Sequence, residues 1–362
     1  MKKVYFTVGP SEILPSIPIF TKQAINDQIF SLSHRGKVFE QLFENAVSQL
    51  RKLLLIPSSY QVFFISSGTE AMEKIIQNCV KQKCLHIING RFAERFYKTA
   101  LELGKNAQRY DATGSFSAED LQVRKNIELI AFTQNDTSTG MAIPLQEIYK
   151  TARKYPEALI AIDAVSSIPY VDINYKKVDS VFFSVQKGFG MPSGLGILIL
   201  SPRSINKAKQ LKEKGVSIGS YHSFISLLQF ADIKQTPDTP NVFAIYLFEK
   251  VIKEFLKKGI ENIRKETESK ANTLYEFFEK SQIYSPLITD NNFRSKTTLI
   301  VTVRGGSKGV VKYLLDRGIV IGKGYGERKD QDIRIANFPA HTKKDIKLLI
   351  NLLKKYAGTL RS

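Results

Sequence analysis

Between residues 61 and 200 the chain repeats one pattern: a short apolar run, a turn, then a stretch with one apolar helical face. Gln61 to Ile65 is such a run, and Ala71, Met72, Ile75, Ile76, Cys79 and Val80 mark one side of the helix expected after it. Cys84 to Ile88 repeats the run, with a helix expected from about Arg91 to Leu103. Leu129 to Thr133, Ala158 to Ile162, Val181 to Val185 and Gly194 to Leu200 supply further buried-type strands. Strands alternating with helices cannot hide their apolar faces in a helical bundle or a β-sandwich. They predict an α/β layer around a mainly parallel sheet, with ligands at the carboxyl ends of its strands. After Pro237-Asp238-Thr239-Pro240 the texture changes. Two long lysine-rich helices are expected over roughly 241–258 and 260–281, then a strand, a helix, a strand at Ile333-Arg334-Ile335 and a last helix from about Thr342. That describes a smaller α+β domain. The expected division is 15–250 for the large domain, with 1–14 and 251–362 in the small one.

Composition narrows the class without naming a reaction. The chain has 362 residues and no apolar run near the roughly 20 needed to cross a bilayer. Met1 to Phe6 begins like an export signal, but Gly9-Pro10 and Glu12 interrupt it before an apolar segment develops. Cys79 and Cys84 are the only cysteines, which fits a reducing cytoplasm. No cysteine or histidine set has metal-ligand spacing, so no metal is expected. A net charge of +19, from 53 basic and 34 acidic side chains, raises nucleic acid as a partner. The excess, however, is spread over helical faces, as at Lys253, Lys257, Lys258 and Lys265. A solvated basic surface that attracts small anions is the better reading.

Lys187 carries the chemistry. It stands in Ser184-Val185-Gln186-Lys187-Gly188, directly after the apolar Val181-Phe182-Phe183, where a lysine gives up hydration. One strand earlier, Ala158 to Ile162 ends in Asp163-Ala164-Val165-Ser166-Ser167. A lysine and an acid at successive strand ends are what pyridoxal phosphate requires. The lysine holds its aldehyde as a Schiff base, and the carboxylate keeps the pyridine nitrogen protonated so the ring accepts electrons. Ser66-Ser67-Gly68-Thr69 lies between a strand and a helix, where backbone N–H groups favour a phosphate, although an ordinary helix cap reads the same way. Phe92, in Asn89-Gly90-Arg91-Phe92, is either a ring cover or a core side chain. Gln134 to Gly140 is either a hydroxyl-rich ligand turn or a plain polar one.

Taken in order, Ser67-Gly68-Thr69-Glu70-Ala71-Met72, Asn89-Gly90-Arg91-Phe92, Asp136-Thr137-Ser138-Thr139-Gly140, Asp163-Ala164-Val165-Ser166-Ser167 and Gln186-Lys187-Gly188 resemble the class V aminotransferases. These form a branch of the fold type I pyridoxal-phosphate enzymes, whose large domain carries a seven-stranded type of sheet. The core segments look most like alanine–glyoxylate and serine–pyruvate aminotransferases. The periphery is similar to phosphoserine aminotransferase: Phe6 to Pro15 echoes its opening pattern, Ser33-His34-Arg35 its Ser-His-Arg element, and Asp238 to Tyr246 its Asn-Thr-Pro segment. Arg328 and Arg334 keep the spacing of its two late arginines, with Glu327 where that family has histidine.

The resemblance implies roles. Lys187 binds the cofactor aldehyde and moves the Cα proton, and Asp163 pairs with the pyridine nitrogen. Thr137 reaches the phenolic oxygen and Phe92 stacks on the ring. Gly68, Thr69 and Gln186 hold the phosphate, joined by Thr239 from a partner subunit. Arg334 grips the substrate α-carboxylate as a bidentate fork, while His34, Arg35 and Arg328 receive a second, distal anion. The implied enzyme is a cytoplasmic homodimer with shared active sites. It passes an amino group from O-phosphoserine to 2-oxoglutarate through pyridoxamine phosphate, in serine biosynthesis. An alanine– or serine–glyoxylate (or pyruvate) aminotransferase is the alternative, and a non-catalytic binding relative a more distant one. Glu327 puts an acid in a region meant for a dianion, and Arg35 and Arg328 also read as surface ion-pair partners.

Overall fold

The computed structural model describes residues 3–359, so the outermost ends of the expected small domain, 1–2 and 360–362, lie outside the described residues. Seven strands form the main sheet in the spatial order Gln61–Ile65, Gly196–Leu200, Ser180–Ser184, Leu159–Asp163, Leu129–Thr133, Lys83–Ile88 and Asn106–Asp111. Gly196–Leu200 runs antiparallel to both of its neighbours, and the other pairings are parallel. Their residues are almost all buried because helices cover both faces, which is why these runs read as continuously apolar. Asn106–Asp111 is the exception. An edge strand of alternating exposure, it carries Asn, Gln, Arg and Asp and gives no apolar signal.

The parallel course brings the carboxyl ends of Gln61–Ile65, Lys83–Ile88, Leu129–Thr133, Leu159–Asp163 and Ser180–Ser184 to one edge. Helix Gly68–Cys79 starts at the first of these ends and helix Arg91–Glu102 at the second. Asp163 is the last residue of its strand, and Lys187 follows three residues after Ser184.

A second, five-stranded sheet has the order Val4–Phe6, Ile319–Lys323, Asp332–Ala336, Thr298–Val303, Tyr284–Pro286. Helices Ile260–Glu279, Lys308–Leu315 and Lys343–Thr359 pack on it around Phe278, Tyr284, Leu299 and Leu349. Val4–Phe6 pairs in parallel with Ile319–Lys323, so the first described strand belongs to the later sheet. The chain then crosses to the main sheet as a strap, where the Ser11 N–H donates to the Gln186 carbonyl at 3.3 Å and the Leu14 N–H to that of Gly190 at 2.8 Å. Among the described residues no helix is long and apolar enough to cross a membrane.

Candidate active site

Where the strap, the sheet edge and the second sheet meet, they enclose a cavity of about 460 Å³. Lys187, Asp163 and Gln186 line it from the last two strand ends, Gly68 and Thr69 from the first helix, and Phe92, Thr137 and Arg334 from three further segments. Size does not single it out, because a groove of about 520 Å³ on the second sheet's helices is larger. The buried titratable pair does.

Lys187 and Asp163 are 7% and 3% exposed. Loss of hydration depresses the lysine to about 8, against the opposing pull of Asp163 and Asp136. Burial likewise lifts the Asp163 carboxyl to about 7, although the Val165 N–H at 2.9 Å and Lys187 hold it down in part. Asp163 sits one step from accepting a cationic N–H, since a protonated ring nitrogen would offset its desolvation. The lysine Nζ lies 5.1 Å from the centre of the Phe92 ring. The strap closes over this lysine: a Cβ added at Gly9 would stand 2.7 Å from Lys187 Cε, and Gly9 has φ +151°, so only glycine fits there.

Several groups around the cavity lack protein partners. Thr137 Oγ1 and Asn135 Oδ1 are buried without a hydrogen bond among the described residues. An unmatched buried hydroxyl costs free energy unless a ligand completes it. At the start of helix Gly68–Cys79, Ser67 accepts from the Glu70 N–H and Ser184 Oγ from the Gly68 N–H. Thr69, beside them, can offer its N–H and hydroxyl to an anion at the positive helix end. Arg334 donates from Nε to the Lys323 carbonyl at 2.6 Å and from Nη1 to that of Thr137 at 3.4 Å, under the ring of Tyr325. Its Nη2 has no hydrogen-bond partner among the described residues. Lysine, aspartate, hydroxyl, ring and helix end therefore suit pyridoxal phosphate, with Arg334 at the rim.

The remaining predicted residues lie elsewhere in the chain. Arg328 does not line this cavity: its fork is taken by the Asp332 carboxylate and Thr302, and with Glu327 it faces an adjoining cavity beyond Tyr325. Arg35 is spent on Gln235 Oε1, the Thr236 carbonyl and the Pro237 carbonyl, at 2.9, 2.7 and 3.2 Å. His34 rests edge-on to Phe39, and burial with the neighbouring Arg35 holds its imidazole below the usual range. Thr239 is exposed on the segment that Arg35 grips. None of the four reaches the Lys187 cavity of its own chain. In its own chain Arg328 is held by the Asp332 carboxylate and the Thr302 hydroxyl, away from the Lys187 cavity. Sequence reasoning gave no role to Gly9, Asn135 or Tyr325, all of which line the cavity. Gly9-Pro10 was itself the available signal, as a rigid turn with no room for a side chain.

The sequence matches the family described as "Aminotransferase class-V" over residues 7–328. The chain belongs to the class-V aminotransferases. Among solved structures, the phosphoserine aminotransferase of Cytophaga hutchinsonii superposes with a TM-score of 0.95 at 42% identity, covering 98% of each chain. The alanine–glyoxylate aminotransferase of Nostoc sp. gives a TM-score of 0.80 at 22% identity over 98% of this chain and 95% of its own, a likeness of fold. By sequence, the phosphoserine aminotransferase of Rhodococcus opacus is 27% identical over 352 residues, 95% of this chain and 92% of its own. As a class-V aminotransferase, this protein is a pyridoxal-phosphate-dependent transaminase of fold type I.

Proposed function

We propose that the protein transfers the amino group of O-phosphoserine to 2-oxoglutarate in two half-reactions, in the cytoplasm, as a step of serine biosynthesis. The observation that carries transamination is Arg334, a half-buried fork lining the same cavity as Lys187 and Asp163. The 42%-identical relative, named a phosphoserine aminotransferase, supports the choice of donor.

Pyridoxal phosphate, when bound, supplies an electron sink and carries the amino group. The chain's own residues do the rest. Asp163 holds a proton at the ring nitrogen, and Thr137 donates its unmatched hydroxyl to the phenolic oxygen. Phe92 covers one ring face and excludes water. Gly68, Thr69 and Gln186 bind the phosphate. Lys187, whose proton is loosened because burial disfavours its charge, takes and returns the substrate Cα proton at Nζ. Arg334 orients the α-carboxylate by charge-assisted hydrogen bonds, and the Gly9 strap closes the rim above the lysine.

A second anion needs a second cation, and among the described residues Lys187 and Arg334 are the only basic ones lining this cavity. We assign that role to His34, Arg35 and Arg328 of a second copy of the chain, arriving with Thr239 in a homodimer. The exposed Phe30 and Val38 lie near His34 and Arg35 and offer an apolar face to such a partner. The same lining favours a second reading, alanine–glyoxylate transamination, in which one carboxylate fork suffices. Cys79 and Cys84 are buried, with burial raising both thiols, so neither serves as a mobile nucleophile.

Steady-state rates with phosphoserine, glutamate and alanine against 2-oxoglutarate, glyoxylate and pyruvate test the choice. Phosphoserine with 2-oxoglutarate should give the highest kcat/KM. Alanine with glyoxylate running tenfold faster would decide for the second reading.

A further inference from the structure

Asp136 is fully buried, and it forms no ion pair among the described residues. A lone carboxylate in that state needs other compensation. It finds four hydrogen-bond donors. Oδ2 accepts from the Phe92 N–H at 2.8 Å and the Ala93 N–H at 3.1 Å. Oδ1 accepts from the Ser138 N–H at 2.9 Å and the Ser138 hydroxyl at 2.6 Å. Ser138 Oγ in turn accepts from the Arg91 N–H at 2.9 Å. One side of the carboxylate therefore fixes the start of the helix that carries Phe92. The other fixes the turn that carries Thr137.

A plain helix cap would not be built this way. The N-cap position is Gly90, which has no side chain to cap with. A Cβ at Gly90 would lie 2.3 Å from Asp136 Cγ, so the glycine makes room for the distant carboxylate. A local Ser or Asp at that position would cap the helix without importing a buried charge. What the imported carboxylate adds is a fixed relation between two elements: the Phe92 ring and the unmatched Thr137 hydroxyl both face the Lys187 cavity.

We propose that Asp136 is a positioning residue for the cofactor. It clamps the two halves of the ring-binding slot, holding the Phe92 ring at the distance from the Thr137 hydroxyl that a flat pyridine ring requires. The proposal rests on the pyridoxal-phosphate reading and deepens it. The charge has a secondary effect, because the anion also favours the protonated form of Lys187.

The test measures the dissociation constant of pyridoxal phosphate by visible absorbance, with the melting temperature of the cofactor-free protein recorded alongside. Asp136→Asn turns two of the four acceptances into donor–donor clashes and should weaken cofactor binding at least tenfold. In a background already carrying Phe92→Leu and Thr137→Ala, the same change should weaken binding less than threefold, because there is nothing left to position. Ser138→Ala, which keeps the carboxylate, should weaken binding three- to tenfold and serves as the readout if Asp136→Asn does not fold. Equal losses in both backgrounds, or a lowered melting temperature with unchanged cofactor affinity, would overturn the clamp and leave a structural cap. Wild-type protein that binds no pyridoxal phosphate would instead overturn the reading beneath it.

Discussion

At the scale of single residues, Lys187 and Asp163 perturb each other less than their shared burial perturbs both, and the cavity exists to use that. Borohydride reduction of the purified protein should fix the cofactor on a peptide containing Lys187, and Lys187→Ala should abolish both that label and turnover. Arg334→Lys keeps the charge but loses the fork. It should lower kcat/KM roughly ten- to a hundred-and-fifty-fold, the equivalent of about 1.5–3 kcal/mol, for phosphoserine, glutamate and alanine alike. Far from the site, His86 is buried between Phe96 and Tyr97 with neither ring nitrogen hydrogen-bonded, and burial depresses it to about 3. Its folded value lies below its unfolded one near 6.5, so the unfolded chain takes up the proton first as pH falls. Stability is therefore intact above 6.5 and lost below it, by about 2 kcal/mol at pH 5. Denaturant titrations at pH 8 and pH 5 should show that difference shrink in His86→Leu. Lys187 and Asp163 were legible from sequence because each follows an apolar run, and Arg334 because a charge in the middle of a strand calls for a partner. Arg35 was not, because its partners lie two hundred residues on. The Arg328–Asp332 pair was open to sequence reasoning, since its members are four residues apart.

Between the residue and the whole lie the elements, where legibility followed burial. Strands closed in on both faces, such as Leu129–Thr133, came within a residue or two of their observed limits. Asn106–Asp111 and Tyr284–Pro286 were missed, one polar and at an edge, the other too short to show a period. The strap was legible as a motif but not as a cover, because nothing local says that Gly9 will meet Lys187. Gly9→Ala should force either the strap or the lysine to move. A tenfold or greater fall in kcat is expected, with cofactor content and far-ultraviolet circular dichroism unchanged. Full activity in that variant would mean the strap plays no part in turnover.

For the molecule as a whole, the exposed Phe30 stacks on Phe243, and Val38 is exposed as well, apolar surface that water covers poorly in a lone chain. Phe30→Glu should shift sedimentation equilibrium toward monomer and reduce phosphoserine turnover more than alanine turnover, since in the proposed dimer only the distal anion depends on the neighbour. Sequence alone foresaw the two-layer plan, because alternation and change of texture are long-range signals. It also grouped 1–14 with 251–362, but gave no sign of the strand Val4–Phe6 that pairs with Ile319–Lys323. That closure has a consequence for biosynthesis. Every strand of the main sheet precedes residue 201, so that sheet can assemble while the chain is still being made. The partner of Val4 is Ile319, which at about 5–20 residues per second is added on the order of tens of seconds after it. Until then the strap lacks its pairing with the second sheet, although its bonds to Gln186 and Gly190 can already form. A ribosome-bound chain that has passed residue 201 but not residue 334 thus carries the lysine and the aspartate without the Arg334 fork.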